Sequence, residues 1–229
     1  MRRRLVILTA VALEGRAIAT AWGLPAPKPG KPARSANVAT IVEIRLVGIG
    51  ATHMPAERSR NPPHGIIMAG LAGALDPSLR VGDVVLDDCP ADYHPLTQFR
   101  AGKIVASPTV IATPAQKRAL FEQTGALAVD MESAIARAAA TEMNVPFVSI
   151  RAISDAADES LNPAILKMVD AFGKPRPMSL ALTLLRRPTL IPGLIRLGKS
   201  SNFAARNLAT AVYAIVQQWS AIELAPSRE

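Results

Sequence analysis

Aromatic side chains are scarce in this chain: two Trp, two Tyr and five Phe amount to 4% of 229 residues, while 49% of the residues are hydrophobic. A core must therefore be assembled from Ala, Val, Leu and Ile, which suits a sheet covered by small-residue helices. Cysteine is scarcer still. The single Cys89 excludes an intramolecular disulfide and any cysteine-based zinc site. The three histidines, His53, His64 and His94, are scattered and form no HxxxH spacing, so no metal is expected. Long apolar runs are absent too, none approaching the ~20 residues of a membrane-spanning helix. Acidic residues are outnumbered 18 to 26, giving a formal charge of +8. The basic residues are spread out and there are few aromatics to stack bases, so nucleic acid is not an expected partner. The remaining readings of the charge are attraction to an anionic membrane surface and a soluble protein of basic composition.

The length fits one sizeable α/β domain and is short for two. Residues 1–229 are read as a single domain, with 180–200 as a distinctive basic-apolar segment. Met1 and Arg2–Arg4 followed by the apolar run 5–13 have the outline of a secretory signal. Glu14 and Arg16 fall where a cleavage region should be small and neutral. A buried strand over 5–13 entering a helix over 14–22 is expected instead, in a cytoplasmic protein with a peripheral membrane contact as an option.

Further along, 25–32 reads as a surface loop and 39–47 as a strand ending in a tight turn at Gly48-Ile49-Gly50. Residues 65–69 read as a short strand running into a glycine turn, Gly70-Leu71-Ala72-Gly73. Residues 81–86 are the next strand, 102–105 and 109–112 are short β candidates, and 114–122 is a helix. A helix is clearest over 131–143, where Met131, Ile135, Ala138/Ala139 and Met143 recur near the 3.6-residue period. Residues 145–153 form an apolar strand broken only by Ser149 and Arg151 and closed by Ser154-Asp155. Strands alternating with helices predict a mixed or parallel sheet with helices on both faces, and ligands in such folds sit beyond the strands' carboxyl ends.

Four acids or small-residue segments can carry chemistry. Asp155, at the end of a buried strand, would hold a proton near neutral pH if partly desolvated; it could equally cap the following turn. Glu132, near a helix start, would match a vicinal diol with its two oxygens, with Met131 as an apolar floor beneath a sugar; the helix dipole alone also favours an acid there. Glu14 could orient a water, or be an ordinary helix-start carboxylate. Gly70–Gly73 could bring main-chain amides to an anion or a heterocycle, or be a plain tight turn. Gly48-Ile49-Gly50 is not a GxGxxG and has no ribose-binding acid about 20 residues on, which disfavours a dinucleotide site.

Four segments, in order, resemble the purine nucleoside phosphorylase and nucleosidase superfamily, which includes methylthioadenosine/S-adenosylhomocysteine nucleosidase. They are Ala12-Leu13-Glu14, the stretch GIIMAGLAGALDPSLRVG at 65–82, AVDMESA at 128–134, and VPFVSIRAISDAAD at 145–158. The resemblance implies a three-layer α/β/α sandwich around a central mixed, partly barrel-like sheet. It implies a general acid, Asp155, protonating N7 of a departing purine, and Glu132 holding the ribose hydroxyls with Met131 packed on the sugar. Val110, Ile111 and Ser154 would meet the base, and Glu14 would activate the nucleophile. Gly70, Leu71, Ala72 and Gly73 would form the loop near nucleophile, phosphate or base. No cofactor is implied, with inorganic phosphate as the one candidate co-substrate; a homo-oligomer is expected.

Two departures stand out. Leu71 occupies a place where relatives carry a small hydroxyl residue, and the segment from Asp83 to Asp130 is short, with Ala106-Ser107-Pro108-Thr109 near the base. The compact length, the GLAGAL stretch and LLRRPTLIPGLIRL at 184–197 look most like the hopanoid-associated phosphorylase branch. That implies release of adenine from adenosylhopane, a nucleoside with a polycyclic lipid at its 5′ carbon. Small nucleosides (methylthioadenosine, S-adenosylhomocysteine, adenosine) are the alternative substrates, and a non-catalytic nucleoside- or lipid-binding protein is the further alternative. Arg186, Arg187, Arg196 and Lys199 among the apolar residues of 180–200 suit an anionic membrane surface; core or dimer packing is the competing reading.

Overall fold

The computed structural model describes residues 3–36, 40–54, 62–89, 98–162 and 168–222. His94, Met1 and Arg2 lie outside them.

Strand β1 (Arg3–Thr9) shows how the layers arise. Leu5 and Ile7 pack into one apolar cluster, with helix α1 (Ala12–Ala21) and the long helix α5 (Ile191–Ile222), while Val6 and Leu8 pack into another on the opposite face. The second cluster takes in Ala136 and Ala140 of helix α3 (Ser133–Glu142). A strand buried on both faces in this way reads as a continuous apolar run, as residues 5–8 do. The result is the expected three-layer α/β/α arrangement.

The main path of the sheet runs β2-β3-β1-β4-β9-β5-β6, with β2 Ala33–Ala36, β3 Thr40–Leu46, β4 Gly65–Ala74, β5 Val84–Asp87, β6 Arg100–Ala101 and β9 Phe147–Asp155. Strands β7 (Ile104–Ala106) and β8 (Ala128–Asp130) branch from β4. The sheet is mixed: β1 is parallel to β3 and β4, β4 is parallel to β9, and β5 is antiparallel to β9. Helix α5 closes one face through Leu208, Val212, Ile215 and Trp219. Gly65 is glycine because a Cβ there would overlap the Trp219 ring, at 2.6 Å from Cζ2.

Several expected boundaries move, each for a local reason. Strand β1 stops at Thr9 because the Glu14 carboxylate accepts the Ala10 and Val11 N–H groups, each at 2.9 Å, and starts α1 there. Helix α3 begins at Ser133, two residues later than expected, with Glu132 as its N-cap. Gly70-Leu71-Ala72-Gly73 is not a turn or loop but part of the ten-residue strand β4. The glycines are there for side-chain clearance: a Cβ on Gly70 would collide with the Arg151 guanidinium, and one on Gly73 would stand 3.0 Å from Asp155 Oδ2. In the β4–β9 register Gly70 faces Arg151 and Gly73 faces Asp155.

No strand forms over 109–112. Ser107 Oγ donates to Thr109 O at 2.6 Å, and Thr109 N–H donates back to it at 3.2 Å, a side-chain turn that replaces ladder pairing. Helix α2 (Pro114–Thr124) follows, capped by Thr113 and Gln116 and closed by Gly125 at φ 63°. The segment 180–200 becomes helix α4 (Pro177–Arg186), a single 3-10 turn (Pro188–Leu190) and the start of α5. Its residues stay outside the core, which α5 enters only from Ala204 onward. No described helix is long and apolar enough to cross a membrane.

Candidate functional site

The carboxyl ends of β1, β4, β8 and β9 open onto one cavity of about 190 Å³. Glu14, Leu71, Ala72, Gly73, Val110, Ile111, Met131, Glu132, Ser154 and Asp155 all line it. Gly70 is the exception, lying one residue deeper in β4 with its Cα face turned to Arg151 and Glu14. Residues more than 140 positions apart are thus collected at one edge of the sheet.

Glu14 is 3% exposed, and its carboxylate is held by three main-chain donors: Ala10 and Val11 on Oε2, and Leu71 on Oε1 at 2.9 Å. Leu71 therefore contributes its amide, whatever its side chain. Burial pushes the Glu14 carboxyl up to about 7; the Val11 and Leu71 donors and the Arg151 charge oppose the shift, and the neighbouring Glu132 charge adds to it. Glu132 is buried at the head of α3, and its Oε1 accepts the Gly50 N–H at 2.9 Å. That bond ties the tight turn after β3, where Gly48 and Gly50 both have positive φ, to the cavity wall. Burial also raises the Glu132 carboxyl, against the pull of Arg151 and the Gly50 amide.

Asp155, the last residue of β9, is 2% exposed. Its Oδ1 lies 2.7 Å from Ser154 Oγ, and its Oδ2 accepts from Lys117 Nζ at 2.6 Å. Lys117 sits in the first turns of α2 and is fully buried. Its other protons go to the carbonyl oxygens of Ala156, at 2.6 Å, and Glu159, at 3.0 Å.

A second ion pair lies behind the cavity. Arg151, fully buried in β9, donates through Nε and Nη2 to Asp130 Oδ2, and Asp130 also accepts from Ser133 N and Oγ. Arg151 Nη2 stands 3.9 Å from Glu132 Oε2, while its Nη1 is buried without a hydrogen-bond partner. Burial alone would lower the guanidinium pKa; Asp130, Glu132 and Glu14 outweigh it and hold the charge.

Sequence reasoning missed Lys117 and Arg151. Arg151 carried a visible signal, a charged residue inside an otherwise apolar strand, which requires a buried counter-ion. Lys117 carried none, since a lysine between Gln116 and Arg118 reads as solvated.

The arrangement brings four carboxylates, Glu14, Asp130, Glu132 and Asp155, to one cavity with apolar walls from Val110, Ile111, Met131 and Leu161. Among the described residues that line it, none is Lys or Arg; the two cations that balance it sit one layer back. Such a site can bind hydroxyls, accept a proton from water at one end and supply a proton at the other.

A family model described as "Phosphorylase superfamily" matches residues 90–181. The 5′-methylthioadenosine/S-adenosylhomocysteine nucleosidase of Staphylococcus aureus (strain JH9) is 30% identical over 134 residues, 42% of this chain and 58% of that protein. The chain thus spans less than two thirds of the curated relative it matches. Among solved structures, a Helicobacter pylori MTAN mutant with 5′-methylthioadenosine in the active site superposes with a TM-score of 0.67 at 17% identity, covering 95% of this chain and 99% of that one. Futalosine hydrolase of H. pylori gives 0.62 at 18% identity, covering 94% and 97%. The S. pneumoniae nucleosidase with a transition-state inhibitor, MT-ImmA, gives 0.65 at 18% identity, covering 94% and 99%. The chain has the fold of these nucleosidases.

Proposed function

We propose that the chain hydrolyses the N-glycosidic bond of a purine nucleoside and releases adenine. The observation that carries this reading is the convergence of Glu14, Glu132 and Asp155 on one cavity at the strand ends. Asp155 is the general acid at N7 of the base; a protonated purine leaves far more easily than an anionic one. Glu132 accepts the 2′- and 3′-hydroxyls, with Met131 under the sugar, and Val110, Ile111 and Ser154 flank the base. Glu14 takes the proton of the attacking water as the ribose acquires oxocarbenium character.

Water is favoured over phosphate as the nucleophile on electrostatic grounds. A phosphate dianion beside Glu14 would meet Glu14, Asp130 and Glu132 in the cavity, against the guanidinium of Arg151, whose Nε and Nη2 already donate to Asp130.

The finer reading of the substrate is a nucleoside with a bulky apolar 5′ group, adenosylhopane being the expected member of that class. It is supported by the exposed apolar residues Met178, Leu182, Leu185, Ile191 and Ile195 around the basic Arg186, Arg187 and Arg196. The start of α5 also lines a chamber of about 130 Å³ that shares Ser154, Asp155 and Leu161 with the site. The same surface would bring the protein to anionic membranes as a peripheral partner.

The test is chromatographic detection of free adenine from adenosine, methylthioadenosine and a lipid-tailed nucleoside, each with and without phosphate. Release from the lipid-tailed compound without phosphate is the expected result. Release that requires phosphate would replace hydrolysis by phosphorolysis, and nucleoside binding without release would leave a binding protein.

A further inference from the structure

Lys117 makes three contacts, and all three describe an ammonium. Its Nζ reaches Asp155 Oδ2 at 2.6 Å, Ala156 O at 2.6 Å and Glu159 O at 3.0 Å, three acceptors for three protons. The side chain has no solvent exposure. Of the groups around it, Asp155 is in direct contact. Glu159 turns its carboxylate away, toward Ala156 N at 3.1 Å and Arg196 at 3.8 Å. Asp155 and Lys117 are therefore a closed pair at the end of the cavity opposite Glu14.

This placement raises a protonation question. A hydrolysis of this kind needs the base at Glu14 ionised while the donor at Asp155 has a proton to give. Glu14 ionises only as the pH passes about 7. The three acceptors around Lys117 Nζ place an ammonium proton directly against the Asp155 carboxylate, and that proton can fill the need.

We infer that Lys117 is the positioning residue and proton source for Asp155: its ammonium passes a proton through the Asp155 carboxylate to N7 of the departing purine. The inference rests on the reading of the site as a purine nucleosidase. The step balances. An Nζ–H bond breaks and an O–H bond forms on Asp155; that O–H breaks as N7–H forms; the C1′–N9 electron pair leaves with the base. At the other end, water forms the new C1′–O bond and gives its proton to Glu14. Lys117 is left as the amine and Asp155 as the carboxylate; before the next turnover solvent takes the proton from Glu14, and the cavity-facing Asp155 carboxyl picks one up and hands it back to the buried Lys117.

A purely structural lysine, pinning the turn after β9, would affect every substrate alike. A proton source would matter only when the leaving group needs a proton. The experiment compares adenine release with release of 4-nitrophenolate from 4-nitrophenyl β-D-riboside, using wild type, Lys117→Met and Lys117→Gln. The inference expects kcat for adenine to fall about 100-fold or more in both variants, with KM little changed. It expects nitrophenolate release to fall by less than about tenfold in the same preparations, which also proves them folded. Equal losses on both substrates, or no loss on either, overturn it.

If the wild type releases adenine from no nucleoside, the functional reading fails, and Lys117 is not in question.

Discussion

The strand-end cavity and the segment 177–203 invert each other. At the cavity Glu14, Lys117, Asp130, Glu132, Arg151 and Asp155 are all buried, charges taken out of water at the sheet's edge. In the segment Met178 is 80% exposed and Leu185 82%, apolar groups left in water. Both placements cost free energy. Removing an ion from water costs several kcal/mol unless it is paired, and each exposed large apolar side chain forgoes roughly 1.5–3 kcal/mol of burial. A sequence under selection for stability alone would do neither. The buried charges are offset locally, by Lys117 against Asp155 and Arg151 against Asp130. The exposed apolar residues have no such offset within the described residues, and under the proposed function a lipid surface or a lipid-tailed substrate provides it.

The largest effect that can break this contrast is at Asp155. Asp155→Asn should lower adenine release by about 10²- to 10⁴-fold, the range for losing a general acid. The variant also leaves Lys117 buried without its counter-ion, so its thermal midpoint should drop too. Adenine release within a few-fold of wild type would remove Asp155 from the reaction.

Next in size is Glu14→Gln, read in two ways. Its adenine release should fall about 100-fold, because the amide cannot take a proton from water. Its stability should also lose a pH dependence. Glu14 is raised from 4.5 to about 7 in the folded protein. A raised carboxyl stabilises the fold fully below pH 4.5, and that contribution is lost as the pH climbs through 7. The shift corresponds to about 3 kcal/mol. Denaturant titrations between those pH values should therefore slope downward in wild type and flatten in Glu14→Gln. Parallel slopes would place the Glu14 carboxyl in water.

The smallest effect on the fold is expected in the segment. Met178→Ser with Leu185→Ser should change folding stability by no more than about 0.5 kcal/mol, as at surface positions without special contacts. The same pair should weaken sedimentation with anionic phospholipid vesicles, since each removed apolar side chain contributes to interfacial binding. A stability loss of about 2 kcal/mol or more would mean that the segment packs in the core.

Much of this was legible in the order of residues. The apolar runs at 5–13 and 145–153 announce strands buried on both faces, because both layers demand apolar contacts from a central strand, and strands form at Arg3–Thr9 and Phe147–Asp155. The helix expected over 114–122 forms as α2, because the Thr113–Gln116 caps and Pro114 in its first turn need no distant partner. The glycines of β4 were misread as a turn for the opposite reason. Their requirement comes from Arg151 and Asp155, some 80 residues away, and nothing local reports it. Residues 109–112 look β-like by composition, but the Ser107 side chain competes for the backbone.

What the sequence determined by itself was local: most of the strands and helices, the exclusion of an intramolecular disulfide by a single cysteine, and the acids standing at element ends. What only the tertiary structure decided was which of those acids share a cavity, and what neutralises them. Lys117 and Asp155 are 38 residues apart, and Arg151 and Asp130 are 21 apart. Coulomb interaction depends on distance in space and on the surrounding dielectric, and neither exists until the sheet closes and expels water from its strand ends.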